Sequence, residues 1–309
     1  MLRGERFRRE GNRAYGTGIA DMKGGNVMAL YALKALHAAG LLKDTQIIVM
    51  FTGDEENSCE PVTVCRGDMI AAAKRSDAAL SFEGTVRNTA TVGRRGSSGW
   101  RLEIEAKTGH SSQVFRESMG YGAIYEAARI LNEFREALSK EKYLTFNPGM
   151  IVGGTTAESK NAIGSATGKS NVVAAKATVT GDLRFISEEQ KEMARAKMRA
   201  IVAKTLPGTK AMITFEDGIP AMTPVEGNYA LLRQFDQASQ DLDFGKVEAL
   251  DPGDRGAGDI AFISHLIPGL DGIGIGGGGN SHAKGEYADL ESMPMLTKRA
   301  AVLIYRLTR

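Results

Sequence analysis

Cysteine, histidine and tryptophan are sparse in this 309-residue chain, which has two, four and one of them respectively. The two cysteines, Cys59 and Cys65, cannot build a disulfide framework or a four-ligand zinc finger. As free thiols or as one short bridge they leave the redox compartment open. No apolar run approaches the roughly 18 residues of a membrane helix, so no membrane partner is expected. Charge of one sign is not in excess either: 39 Lys plus Arg face 37 Asp plus Glu, a net charge of +2. A nucleic-acid reader would show a basic excess or stripe, so no nucleic-acid partner is expected. Residues 1–10 carry the charge of a signal n-region, but no apolar segment follows them. What is present suits a folded chain, with 42% hydrophobic and 25% charged residues. Glycine is abundant, 37 residues, and clusters around 16–25, 153–154 and 272–279. Clustered glycine without a repeat points to tight turns and close backbone approach.

Asn26 to Ala39, rich in Ala and Leu, reads as a helix that Gly40 is placed to end. Gln46-Ile-Ile-Val-Met-Phe51 reads as a strand buried on both faces, and Thr52-Gly-Asp-Glu-Glu56 follows at once. A helix from about Gly67 to Arg75 leads to a strand over Ala78 to Phe82, ending in Glu83. This alternation predicts a mostly parallel α/β sheet flanked by helices. From about Thr91 the pattern changes. A strand over Trp100 to Ala106, a helix over Gly120 to Ser139, strands near Gly149 to Gly153 and Val172 to Phe185, a helix over Glu188 to Lys204 and a strand over Ala211 to Phe215 follow in turn. The order β-α-β-β-α-β is that of a ferredoxin-like sandwich. Beyond Pro207, Pro220 and Pro224, a helix (Asn228 to Leu242), a strand near Leu270 to Ile275 and a helix (Met293 to Thr308) return to the α/β style. The expected organisation is an α/β domain over 1–95 and 218–309, with a smaller α+β domain inserted at 96–217.

Ligands of open α/β sheets sit beyond the carboxyl ends of the strands. Ionisable groups fall at three such ends: Asp54, Glu55 and Glu56; Glu83; and His282. Asp21, in a Gly-rich turn opening a helix, is a fourth candidate. Alone, an acidic run is usually a solvated surface, an acid after a strand a helix cap and a histidine in a Gly-rich loop a plain loop residue. Together they describe a carboxylate pocket whose members would raise one another's pKa values. A divalent cation relieves that repulsion, and carboxylates with a neutral imidazole suit Zn²⁺.

Gly16-Thr-Gly-Ile-Ala-Asp21-Met-Lys-Gly-Gly25, Thr52-Gly-Asp-Glu55-Glu56, Ser81-Phe-Glu83, Gly109-His110-Ser-Ser112 and Asn280-Ser-His282-Ala-Lys-Gly-Glu286 resemble, in order, the motifs of the glutamate carboxypeptidase, aminoacylase and desuccinylase family of di-zinc metallopeptidases. The bacterial glutamate carboxypeptidases are the nearest in appearance, and the resemblance covers essentially the whole chain. It implies a zinc-exopeptidase-like catalytic domain with an inserted dimerisation domain, and a homodimer. It implies that Asp21 bridges two zinc ions per subunit, with Glu56 and His282 on one and Glu83 on the other. Glu55 would be the general base. His110 would reach a partner subunit's site and stabilise an oxyanion. Arg184 and Asn171 match positions that hold a substrate carboxylate. Glu286 and Asp259 read as packing residues with a possible orienting role. The substrate would be a small peptide or an N-acyl amino acid, cut at an amide beside a free carboxylate.

The family pattern also calls for a His-x-Asp motif upstream of Asp21, and residues 1–20 contain no histidine. His37, at the end of a helix, and His265 are expected to be structural. The expectation is therefore an N-terminally truncated member in which one zinc site lacks a histidine, with an inactive binding or dimerisation protein as the rival reading. Compartment is open between cytoplasmic and periplasmic or secreted, since any signal would lie upstream of Met1. Gly164-Ser-Ala-Thr-Gly168-Lys169-Ser170 resembles a phosphate loop with one residue too few between its glycines, and nucleotide binding there is the weakest alternative.

Overall fold

The computed structural model describes residues 5–55 and 61–309. Contacts divide the chain into two compact units, Met1–Arg94 with Met222–Arg309, and Arg95–Ala221.

The first unit begins with a hairpin of β1 (Arg8–Glu10) and β2 (Arg13–Tyr15). It continues through α1 (Gly24–Ala38), α2 (Val62–Cys65), α3 (Gly67–Ala73), β3 (Ala79–Leu80) and β4 (Thr89–Ala90). Two glycines explain how the end of β3 reaches α1. A Cβ on Gly25 or on Gly274 would overlap the carbonyl oxygen of Phe82, so both must lack one for the backbone leading to Glu83 to pass between them. Cys65 is disulfide-bonded, which resolves one of the two sequence readings for that residue; Cys59 lies outside the described residues.

The run Gln46–Phe51 departs most from expectation. It forms neither strand nor helix, and Val49 and Phe51 are 44% and 53% exposed. A strand needs a neighbour to take its N–H and C=O groups, and among the described residues none pairs with this segment. The apolar run instead lines a cavity of about 1500 Å³ together with Leu33, Leu80 and Ile304.

The second unit contains β5 (Gly96–Ala106), α4 (Ala123–Leu138), β6 (Thr145–Gly154), β7 (Thr156–Lys160), β8 (Ile163–Thr167), β9 (Lys176–Phe185), α5 (Glu188–Val202) and β10 (Thr209–Asp217). Its four long strands form an antiparallel sheet in the order β10-β5-β9-β6, the ferredoxin-like arrangement. Trp100, Leu102 and Ile104 alternate inward from β5, and Ala127, Ile130, Phe134 and Leu138 recur at helical spacing on α4; all are buried in one core. Gly181 on β9 leaves room for the Trp100 indole, which a Cβ would overlap. Ser187 caps α5 by accepting from the Gln190 N–H at 3.1 Å, and Gln190 Oε1 accepts from the N–H of Ile186, the residue before the cap, at 2.9 Å. The β7–β8 hairpin is an addition that the sequence did not announce. Gly164 of the phosphate-loop-like stretch lies inside β8, so the stretch does not open a helix as a phosphate loop must.

The chain then re-enters the first unit with α6 (Glu226–Asp241), β11 (Glu248–Ala249), β12 (Gly269–Leu270), β13 (Tyr287–Asp289) and α7 (Met293–Leu307). β12 pairs in parallel with β3, β11 in parallel with β4, and β13 antiparallel with β2. The parallel contacts are real but only two residues long, so the unit is held mainly by helix packing. Ala32 and Leu36 of α1 lie against Ala300, Ala301 and Ile304 of α7. Among the described residues no helix is long and apolar enough to cross a membrane.

Candidate active site

Asp21 sits where the chain turns into α1. Gly18 supplies a left-handed residue (φ 70°) just before it, a conformation that glycine adopts at no steric cost. The turn is fixed from below by the buried Glu286, whose carboxylate accepts from the backbone N–H groups of Gly18 (2.6 Å), Ala20 (2.9 Å) and Asp21 (3.0 Å). Three N–H groups on one carboxylate hold the turn in place. Glu286, which the sequence marked for packing, is thus the residue that sets the position of Asp21. His282 lies above, its Nε2 3.1 Å from Asp21 Oδ2.

Glu83 emerges after β3 into the same cavity as Asp21 and Glu55. Burial, with the nearby charge of Asp271, pushes its carboxyl up from 4.5 to about 7; Arg94 pulls it down, and Asp21 and Glu55 add to the upward shift. Beneath it, the buried Arg94 forms an ion pair with the buried Asp271 and donates to the Ala257 carbonyl at 2.7 Å, with Nη2 4.0 Å from Glu83 Oε2. Burial disfavours the Arg94 charge, but Asp271 outweighs it and holds the guanidinium above its ordinary range. Arg255 donates to Thr91 Oγ1 at 3.2 Å and to the Gly84 carbonyl; burial and the Arg94 charge lower its pKa. The sequence alone did not single out Arg94, Arg255 or Asp271. Arg94 follows Glu83 in the chain and Asp271 follows β12, the partner of β3, but nothing in the sequence marks Arg255, because arginine is by default a surface residue.

Glu55 is half-buried at the end of the apolar run. Glu56 lies outside the described residues, so its assignment as a ligand rests on sequence. Among the described residues no three His, Cys, Asp or Glu side chains are already gathered around one point. The donor chemistry nonetheless fits a divalent cation. Three carboxylates share one cavity, one of them is pushed to near-neutral pKa by its surroundings, and an imidazole nitrogen is in contact with another.

In the second unit, His110 and Asn171 come together: His110 pairs with Val172 across a bridge, and the Ser111 N–H donates to the Asn171 carbonyl at 2.9 Å. His110 Nδ1 lies 3.2 Å from the Ser112 N–H and 2.8 Å from the Ser112 Oγ. Arg184 is elsewhere. It opposes Ser97 and Thr145 near the far end of β9, about 26 Å along the strand from Lys176 at 3.3 Å per residue, and its Nε donates to Asp182 at 2.8 Å. The two groups expected to grip one carboxylate are therefore not brought together within one chain. His37 falls in the last turn of α1 and His265 is exposed.

Residues 3–306 match Peptidase family M20/M25/M40. The chain belongs to that family. The protein is thereby a hydrolase by kinship, and family membership supports metal dependence. This M20 chain is 30% identical over 303 residues to carboxypeptidase G2 of Pseudomonas sp. (strain RS-16), covering 96% of this chain and 68% of that protein. It is 27% identical over 268 residues to succinyl-diaminopimelate desuccinylase of Dinoroseobacter shibae, covering 84% and 66%. The chain thus spans about two thirds of the length of these relatives. Its fold is shared with the aminopeptidase PepT of Bacillus cereus, at a TM-score of 0.72 and 17% identity, covering 98% of this chain and 76% of the other.

Proposed function

We propose that this M20 protein is a zinc-dependent hydrolase that cleaves an amide bond beside a free carboxylate, in a small peptide ending in Glu or in an N-acyl amino acid, and that it works as a homodimer. The observation that carries the reading is the opening of Asp21, Glu55 and Glu83 into one cavity, with His282 on Asp21. A carboxypeptidase and a desuccinylase among its relatives support the substrate class.

Asp21 would be shared by two zinc ions, with Glu56 and His282 at one and Glu83 at the other. Zinc supplies Lewis-acid polarisation of the scissile carbonyl and lowers the pKa of water. Glu55 takes a proton from the attacking water and delivers it to the leaving amine. His110 donates to the developing oxyanion. Arg184 and Asn171 hold the substrate carboxylate, the guanidinium by a charge-assisted fork. Arg184 near one end of β9 and Asn171 before the other end, beside Ser111, favour a dimer in which the two come from different protomers.

The test compares an N-acyl-glutamate with the same compound carrying carboxamides in place of its carboxylates, in zinc-supplemented buffer. The acid is expected to be cut with at least a tenfold higher kcat/KM, and Arg184→Ala is expected to raise KM for the acid and narrow that gap. Equal hydrolysis of the two compounds contradicts the carboxylate requirement.

A further inference from the structure

Between α2 and α3 lies Arg66, a side chain that is completely buried, although arginine almost never is. Its guanidinium is spread over two elements distant in sequence. Nη1 donates to Asp54 Oδ1 at 2.8 Å, and Nη2 lies 3.5 Å from the Asp54 backbone carbonyl. On the other side, Nε donates to Asp259 Oδ1 at 3.0 Å, and Nη2 approaches the same oxygen at 2.9 Å. Phe262, in the turn that Asp259 opens, carries the guanidinium over its ring at 5.3 Å. The residue before Arg66 is disulfide-bonded, so the backbone on that side is covalently restrained.

We propose that Arg66 is a positioning residue for the catalytic step, holding Asp54 by both its side chain and its backbone so that Glu55 projects into the cavity shared with Asp21 and Glu83. This rests on the reading of Glu55 as general base. Asp54 directly precedes Glu55, and fixing the side chain and carbonyl of one residue fixes the peptide plane that leads into the next. A general base must lie within hydrogen-bond reach of the proton it removes, and small displacements of a reacting group cost large factors in rate. The planar five-donor fork can serve Asp54 and Asp259 together; a lysine ammonium, a point charge, cannot reproduce that geometry. Asp259, which the sequence marked for packing, becomes the anchor against which Asp54 is held.

The test uses Arg66→Lys and Asp259→Asn in the full chain, with wild type and Glu55→Ala alongside. The clamp predicts that both variants keep zinc binding and a cooperative melt, lose at least tenfold in kcat and change KM less than threefold. It also predicts faster amide hydrogen exchange confined to the peptide around residues 50–55. Unchanged kcat and unchanged exchange in that peptide in a folded Arg66→Lys overturn the proposal, as does a loss of activity that only tracks global unfolding in both variants. If Glu55→Ala is as active as wild type, or wild type is itself inactive, the general-base reading fails, and the exchange result alone decides whether Arg66 holds the loop.

Discussion

Glu55→Ala is expected to lower kcat by about 10²- to 10⁴-fold, the usual share of general acid–base catalysis, with little change in thermal midpoint. The reason for separating rate from stability is local. Glu55 is half-buried on the cavity wall, and removing it from beside Glu83 relieves a repulsion. Loss of this half-buried carboxylate is therefore expected to cost rate more than stability. Glu55→Gln keeps the shape and removes the basicity, so it is expected to match the alanine variant in rate. Steady-state kinetics of both variants, with melting curves on the same samples, check this. A glutamine variant within fivefold of wild type would remove Glu55 from the role of base.

The second large effect is in pH. Glu83 titrates near 7 in the folded, metal-free chain and near 4.5 when exposed, chiefly because it is buried and lies near Asp271. Folding therefore retains a proton that the unfolded chain gives up, so stability falls as pH rises. The preference for the folded state is fully present below about 4.5, declines above that and is gone once pH exceeds about 7. A shift of this size corresponds to about 3 kcal/mol at 1.36 kcal/mol per pH unit. Glu83→Gln cannot ionise, so chelator-treated wild type is expected to lose stability relative to it across this window, measured by urea unfolding at intervals between pH 4.5 and 8. Zinc should reverse the trend for wild type alone, because the cation favours the ionised carboxylate. Parallel curves for the two metal-free proteins would show that Glu83 does not carry the shift.

The comparison between sequence and structure divides along physical lines. The order of strands and helices in the ferredoxin-like unit was legible because its signals are local, above all the period-two alternation along β5 and β9. The extended run at Gln46–Phe51 was misread as a buried strand because burial and pairing belong to neighbours, which periodicity cannot supply. Asp21, Glu55 and Glu83 stood out by type and by place at the ends of elements, and all three line one cavity. Their supports did not. Glu286 reaches back across 265 residues to the Asp21 N–H, and Arg66 spans 193 residues to Asp259; no pattern in the chain announces a contact of that range. The glycine clusters were half-read. The sequence indicated close approach, and the structure identifies the neighbour as the Phe82 carbonyl, pressed between Gly25 and Gly274.

If Asp21, Glu83 and His282 hold zinc for hydrolysis at Glu55, activity follows the metal. The most direct test is the rate of N-acyl-glutamate hydrolysis by the purified chain before chelation, after exhaustive chelation and after readdition of Zn²⁺. Activity is expected to be lost on chelation, to recover with zinc, and not to recover in Asp21→Asn. Hydrolysis that persists through chelation, or that Asp21→Asn recovers in full, would contradict this.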